Sequence, residues 1–267
     1  MTILPQSPPS ATAFSTPHLQ QSNFVSVIDN PLSPYIPGTT YVYENADGTF
    51  IDTVTVTDQT RKIDGVQCTA VSDIATQDGQ VVEKTIDYFA QDTNGNVWYF
   101  GENTKELMNG KVVSTEGSFL AGVKHAQPGI IMEAHPQIND SYDQENAPGV
   151  AQDHAQVVSL TGSANVPFGS FHNNLLVTLE TTPLEPGAAE NKYYAFGIGE
   201  VFAQDLVTGD QERLVSVTPP PAAQTSTAGH TTGATHQAAS GALGGSHDLA
   251  GLDTMLSHHD HGHLFLG

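Results

Sequence analysis

Two stretches of this chain gather side chains able to hold a metal ion or move a proton. The first is the C-terminal run "MLSHHDHGHLFLG", in which His258, His259, His261 and His263 flank Asp260. Neutral imidazoles at this spacing chelate zinc, nickel or copper. The second is "MEAHPQINDSYDQENAPGVAQDH", residues 132 to 154, which carries Glu133, His135, Asp140, Asp143, Glu145, Asp153 and His154. Mixed carboxylates and imidazoles suit calcium or a borderline cation, or an acid/base pair. Its spacing matches no ligand motif such as H-E-x-x-H. The expected metal ligands are therefore the four tail histidines with Glu133, His135, Asp143, Glu145 and Asp153. No motif fixes a cofactor; a divalent ion (zinc, copper, nickel or calcium) is the class these donors suit. The plainer readings are a solvated tail and an acidic surface loop.

A third constellation is aromatic: Tyr41, Tyr43, Tyr88, Phe89, Trp98, Tyr99, Phe100, Tyr193, Tyr194 and Phe196. On a curved sheet such side chains line a cavity for a small apolar ligand, or they form the core. Trp98, Tyr99, Tyr43 and Tyr194 are the expected ligand-facing set. The loop "QDTNGNVWYFGE" imitates the start of an EF-hand with Asp92, Asn94 and Asn96. Its glycine falls at the fourth position, and Asn103 stands where the bidentate Glu belongs. It reads as a hairpin turn. Cys68, the single cysteine, sits in the alternating "GVQCTAV" and reads as a buried apolar side chain. No nucleotide loop and no G-x-S-x-G elbow occur. Serine, histidine and aspartate are present, but nothing in the sequence places them together.

The elements that must position these residues are strands. "TFIDTVTVT" alternates with period two, as do "GVQCTAVSDIAT", "VVEKTIDYFAQ", "VWYFGENT", "HAQVVSLTG", "NNLLVTLETTP", "KYYAFGIGEVFAQDL" and "ERLVSVTP". Asp-Gly and Asn-Gly turns separate several of them, which predicts an antiparallel meander. Helix signals reduce to one short turn within residues 147 to 158. "FAQD" occurs at 89–92 and again at 202–205, read as a shared way of ending a strand. Residues 1–31 are rich in Pro, Ser and Thr and read as a disordered arm. Residues 218–267 contain no Lys or Arg and are rich in Ala, Gly and His, and read as a disordered tail.

The 267 residues carry 8 Lys or Arg against 29 Asp or Glu, a net charge of −21. That charge repels phosphate backbones and anionic surfaces, so nucleic acid is not an expected partner. No apolar run is long enough to span a bilayer. The N-terminus lacks the basic and apolar regions of a standard signal peptide, which leaves a cytoplasmic protein or one exported by another route.

The segments "EKTIDYFAQDTNGNVWYFGE", "GSFLAGV", "PGIIMEAHPQINDSYDQENAPGVAQDHAQVV" and "TPLEPGAAENKYYAFGIGEV" resemble an uncharacterised group of bacterial exported or envelope β proteins. "KYYAFGIGEV" is similar to a strand of that group and of half-barrel lipoprotein-carrier-like proteins, with Phe196 where proline is usual. The resemblance implies a strongly curved antiparallel sheet and no catalytic residues. The C-terminal segment resembles type I secretion substrates, which implies that export machinery as a partner.

The expected architecture is all-β: a single curved antiparallel sheet or open half-barrel over residues 32–217, with disordered tails. The expected function is a secreted or envelope-associated, non-enzymatic binding protein for a small apolar ligand or a protein partner. Two alternatives stay open: a metal-binding protein using the tail and the acidic loop, and an enzyme of unfixed class built on that loop.

Overall fold

The structure is a computed structural model and describes residues 19–220. The tail histidines 258, 259, 261 and 263, the type I-like segment and residues 1–18 lie outside the described residues. The first half of the described chain holds β1 (Thr40–Glu44), β2 (Phe50–Ile63), β3 (Val66–Gln77), β4 (Gln80–Gln91), β5 (Val97–Glu102), β6 (Lys105–Met108), β7 (Lys111–Ser114) and β8 (Gln127–Met132). The second half holds β9 (Ser141–Asp143), β10 (Glu145–Asn146), β11 (His154–Val166), β12 (Gly169–Thr181), β13 (Glu190–Ala195), β14 (Gly199–Asp205) and β15 (Gln211–Thr218). One short 3-10 turn, Gln21–Asn23, precedes them.

All strands belong to one antiparallel sheet, nearly closed into a barrel. β1 to β5 form one meander, extended by β8, and β11 to β15 form a second. The first and last strands join them, with Tyr41 opposite Val217 and Glu44 opposite Arg213. Arg213 donates to Glu44 Oε1 at 3.0 Å and to the Asn45 carbonyl at 2.9 Å, which ties this seam.

The remaining gap is closed by six consecutive residues. β10 pairs with β8 at one end of the strand order, and β9 pairs with β11 at the other. Only Gln144 separates β9 from β10, so one extended segment switches from one sheet edge to the other. The Gln144 and Glu145 amides both donate to the Asp153 carbonyl, at 2.8 and 3.2 Å. Gly129 on β8 makes the approach possible. A Cβ there would lie 2.0 Å from the Gln144 carbonyl oxygen and 2.6 Å from that of Asp143.

Two apolar clusters follow from the alternation. β5 is buried on both faces: Val97 and Tyr99 join the barrel interior, and Trp98 and Phe100 join a second cluster with Phe24, Cys68 and Tyr88. Residues 19–31, the described part of the segment read as an arm, lie against the sheet. Phe24 bridges to Asp92 and meets Phe100 edge-on at 5.6 Å, and Ile28 pairs with Tyr35. The segment "KYYAFGIGEVFAQDL", expected as one strand, is a hairpin. Gly197 takes φ 80° and the chain reverses at Phe196–Ile198 between β13 and β14.

Gly129→Ala is expected to drive the closing segment off β8 and to destabilise the fold by about 3 kcal/mol, in the range of severe overpacking. Denaturant unfolding measures the loss, and amide exchange should report opening confined first to residues 141–146. An alanine variant of unchanged stability would contradict the closure described here.

Candidate functional site

Inward-facing carboxyls ring the barrel. Asp52 shares the inner face of β2 with Val54 and Val56, Asp73 that of β3 with Val71, and Asp87 that of β4 with Phe89. Glu102, Glu145, Glu180, Glu190 and Glu212 add one buried carboxyl each from β5, β10, β12, β13 and β15. Ionised carboxylates at this density in a low-dielectric interior would repel one another strongly. The fold answers in three ways.

The first is proton sharing. The Asp52 and Asp73 carboxyls are hydrogen-bonded to each other, and burial raises both above the ordinary range. The charge of Asp52 pushes Asp73 further in that direction. The second is bridging by hydroxyls. Asp87 and Glu102 face each other across β4 and β5, and Tyr99 Oη lies 2.7 Å from one and 2.9 Å from the other. Thr178 Oγ1 donates to Glu180 at 2.7 Å and Gln144 Nε2 at 3.1 Å. The third is one buried cation. Lys192 Nζ stands 3.4 Å from Glu180 and 3.8 Å from Glu190. Burial alone would lower this lysine, but Glu180, Glu200 and Glu190 hold it well above its usual range.

Between these groups lies a cavity of about 70 Å³. Its wall includes the carboxyl-bearing residues Asp52, Asp73, Asp87, Glu200 and Glu212, and the tyrosines Tyr35, Tyr41, Tyr43 and Tyr194. Ser33, Pro34 and Tyr35 of the N-terminal segment wall one side, with the Tyr35 ring stacked on Phe89 at 4.3 Å. Burial pushes Asp87 and Glu212 well above the carboxylate range, and Glu200 up to about 8 against the pull of Lys192.

The expected ligand-facing residues divide. Tyr43 and Tyr194 line the cavity. Tyr99 is buried behind it, against Asp87. Trp98 is on the opposite face of β5, donating to Asp92 at 3.0 Å. The acidic loop also divides. Glu145 enters the barrel, where burial and the nearby Asp153 and Glu102 charges raise it well above its usual range. Glu133 is half-buried beside Asp140 and raised to about 7, first by burial. His135 is exposed. Asp143 bonds His154 Nδ1 at 3.0 Å, and His154 Nε2 meets Ser141 Oγ at 2.7 Å. The structure thus does place a serine, a histidine and an aspartate together. Among the described residues, no group of three His, Cys, Asp or Glu is set out to hold a metal ion.

The "QDTNGN" turn is a hairpin. Asp92 accepts the amides of Asn94 and Asn96 at 2.9 Å on one oxygen, and Asn96 Nδ2 and Trp98 Nε1 on the other. Asp205, the second "FAQD" aspartate, likewise accepts Val207 and Thr208 amides, at 2.6 and 2.8 Å. Cys68 is fully buried, and burial pushes its thiol up to about 12.

No family model matches the chain, and no curated protein does. Two solved structures are similar to it. One is a candidate exported protein with a YmcC-like fold from Bacteroides fragilis NCTC 9343, with 15% identity and a TM-score of 0.41 over 70% of this chain and 99% of that one. The other is a candidate lipoprotein from Parabacteroides distasonis ATCC 8503, with 13% identity and a TM-score of 0.40 over 71% of this chain and 99% of that one.

Carboxyls raised by folding keep protons that the unfolded chain releases. Their contribution to stability is therefore complete below the ordinary carboxylate range and is lost as pH climbs through the folded values. The melting temperature should fall from pH 5 to pH 9. Asp73→Asn, neutral at every pH, should flatten that slope by up to about 1.4 kcal/mol per pH unit for this group. Thermal unfolding followed by near-ultraviolet circular dichroism across the range checks it; equal slopes for the two proteins would refute the assignment.

Proposed function

We propose that this protein is a non-enzymatic binding protein of the cell envelope or exterior, and that its ligand occupies the barrel cavity. The cavity itself carries this reading: five carboxyl-bearing residues and four tyrosines converge on one volume inside the barrel. The tyrosine-rich wall supports it, because concave aromatic surfaces with a few convergent polar groups are the common form of small-molecule sites. The lining favours a ligand with a polar head over a wholly apolar one. The envelope assignment is supported by the sequence resemblance of the strands to exported β proteins.

A second reading rests on a separate observation, the Ser141–His154–Asp143 chain. Its order is that of a serine nucleophile, a general base and an orienting carboxylate. In that reading Ser141 Oγ attacks an ester carbonyl while its proton passes to His154 Nε2. The leaving alkoxide takes that proton, and water then hydrolyses the acyl-serine by the same relay. The His154 and Asp143 side chains are 41% and 63% exposed, so the trio opens directly to solvent.

A panel of small polar and apolar fragments, screened by NMR on the full chain, tests the first reading. Shifts at the amides of Val54, Val71 and Tyr194 are expected, and a panel that leaves all three unmoved overturns it. For the second reading, a fluorophosphonate probe should label the wild type and not Ser141→Ala. An unlabelled wild type, or a labelled variant, removes the hydrolase.

A further inference from the structure

A second cavity, of about 390 Å³, shares no lining residue with the first. It forms where two turns meet. β8 pairs with β10 through Gln127 and Asn146, so the residues next to that pair, Ala126 and Ala147, come together. On one side, Phe119–Ala121 is stitched to β5. The Glu102 amide donates to the Phe119 carbonyl at 2.8 Å, and the Ala121 amide to that of Phe100 at 2.9 Å. On the other side, the Ala147 amide donates to the Ala151 carbonyl at 2.8 Å and closes the turn that carries Val150. Buried Phe119, Ala126 and Ala147 supply an apolar wall, and Val123 and Val150, 52% and 42% exposed, carry it out to solvent.

Two cations complete the wall, Arg61 and Lys124. The chain has 8 Lys or Arg against 29 acids, and Lys192 and Arg213 are ion-paired. Arg61 and Lys124 pair with no carboxylate among the described residues. Arg61 Nη1 donates to the Tyr88 hydroxyl at 3.2 Å, and the guanidinium carbon lies 5.2 Å from that ring. These contacts hold the group in place and leave further N–H donors open. Lys124 takes φ 50° and His125 φ 71°, a left-handed backbone that residues with side chains adopt at a cost and that functional loops retain. The Gly122 amide, donating to the Ala126 carbonyl at 2.9 Å, closes the loop that holds them. Glu102 also lines the cavity, but it is 2% exposed, and its two oxygens lie 2.9 Å from Tyr99 Oη and 3.0 Å from Thr104 Oγ1.

We infer that this cavity binds an amphipathic monoanion, a carboxylate head on an apolar body, with Arg61 and Lys124 holding the head. A guanidinium offers a carboxylate a planar fork of donors, and an ammonium adds a point charge. The apolar wall takes the body. A neutral apolar ligand would leave both cations unanswered, and a small multiply charged anion would leave the wall unused. The volume falls within the roughly 300–1,000 Å³ span of small-molecule sites. This site is separate from the barrel cavity, and neither reading depends on the other.

The test titrates octanoate into the full chain, with 1-octanol as its neutral counterpart and octylammonium as its cationic one, followed at the amides of Val123, Ala126 and Ala147. Octanoate should shift all three, saturate as one site and bind about tenfold more tightly than octanol. The net charge of −21 repels anions elsewhere, so single-site uptake reports this cavity. Arg61→Gln should weaken octanoate about tenfold and leave octanol unchanged. Should that variant fail to fold, Lys124→Gln carries the same expectation. Octanol or octylammonium binding as tightly as octanoate overturns the anion assignment. Octanoate that leaves the three amides unmoved overturns the site; if it shifts Val54, Val71 and Tyr194 instead, the barrel-cavity reading survives alone.

Discussion

The approach of the Gln144 backbone to Gly129 is the constraint on which the rest depends. Two meanders joined at β1 and β15 make a curved sheet with two free edges. Such edges expose unpaired amides and carbonyls, and an open sheet would leave its inner carboxyls in water. The segment Ser141–Asn146 satisfies both edges at once, because its halves pair in opposite directions. Only a residue without a side chain lets it seat against β8. Closure converts a surface row of acids into a buried one, and the unusual protonation of the interior follows from that.

The interior then behaves as one electrostatic unit. Asp73, Asp87 and Glu212 are raised by burial and again by neighbouring acids, which disfavours their ionisation. The surface keeps the charge that makes the chain strongly acidic, while much of the inside is near neutral. Tyr99 between Asp87 and Glu102, and Lys192 between Glu180 and Glu190, show the two local solutions available: a shared hydroxyl or a counter-cation. The Asp52–Asp73 pair uses a third, a hydrogen bond between the two carboxyls. That difference separates the cavity corner from the rest of the belt.

Much of the architecture is legible in the sequence, because period-two alternation and Gly-bearing turns act locally. The all-β class, the antiparallel pairing, the hairpin at Asp92 and the inert Cys68 all follow from neighbours within a few residues. The barrel closure is not legible, since Gly129 matters only through a segment that pairs elsewhere. The acidic interior left a signal that was readable. Asp52 has the parity of Val54 and Val56, Asp73 that of Val71, and Asp87 that of Phe89, so each acid stands on an apolar face. Reading residues 132–154 as one acidic loop missed that the closing segment sends Glu145 inward and Asp143 outward. Ser141 and His154 meet only because β9 and β11 are paired, which spacing alone does not reveal.

The seam between β1 and β15 has a consequence for how the molecule comes into being. Glu44 and Arg213 are 169 positions apart and lie side by side in the finished sheet. Pairing at that separation carries a large loop-closure entropy, and topologies of this kind assemble in milliseconds to seconds. A ribosome must release the final strand before the first one finds its neighbour. Until then the acids that end up inside are hydrated, without the burial that raises them in the finished barrel.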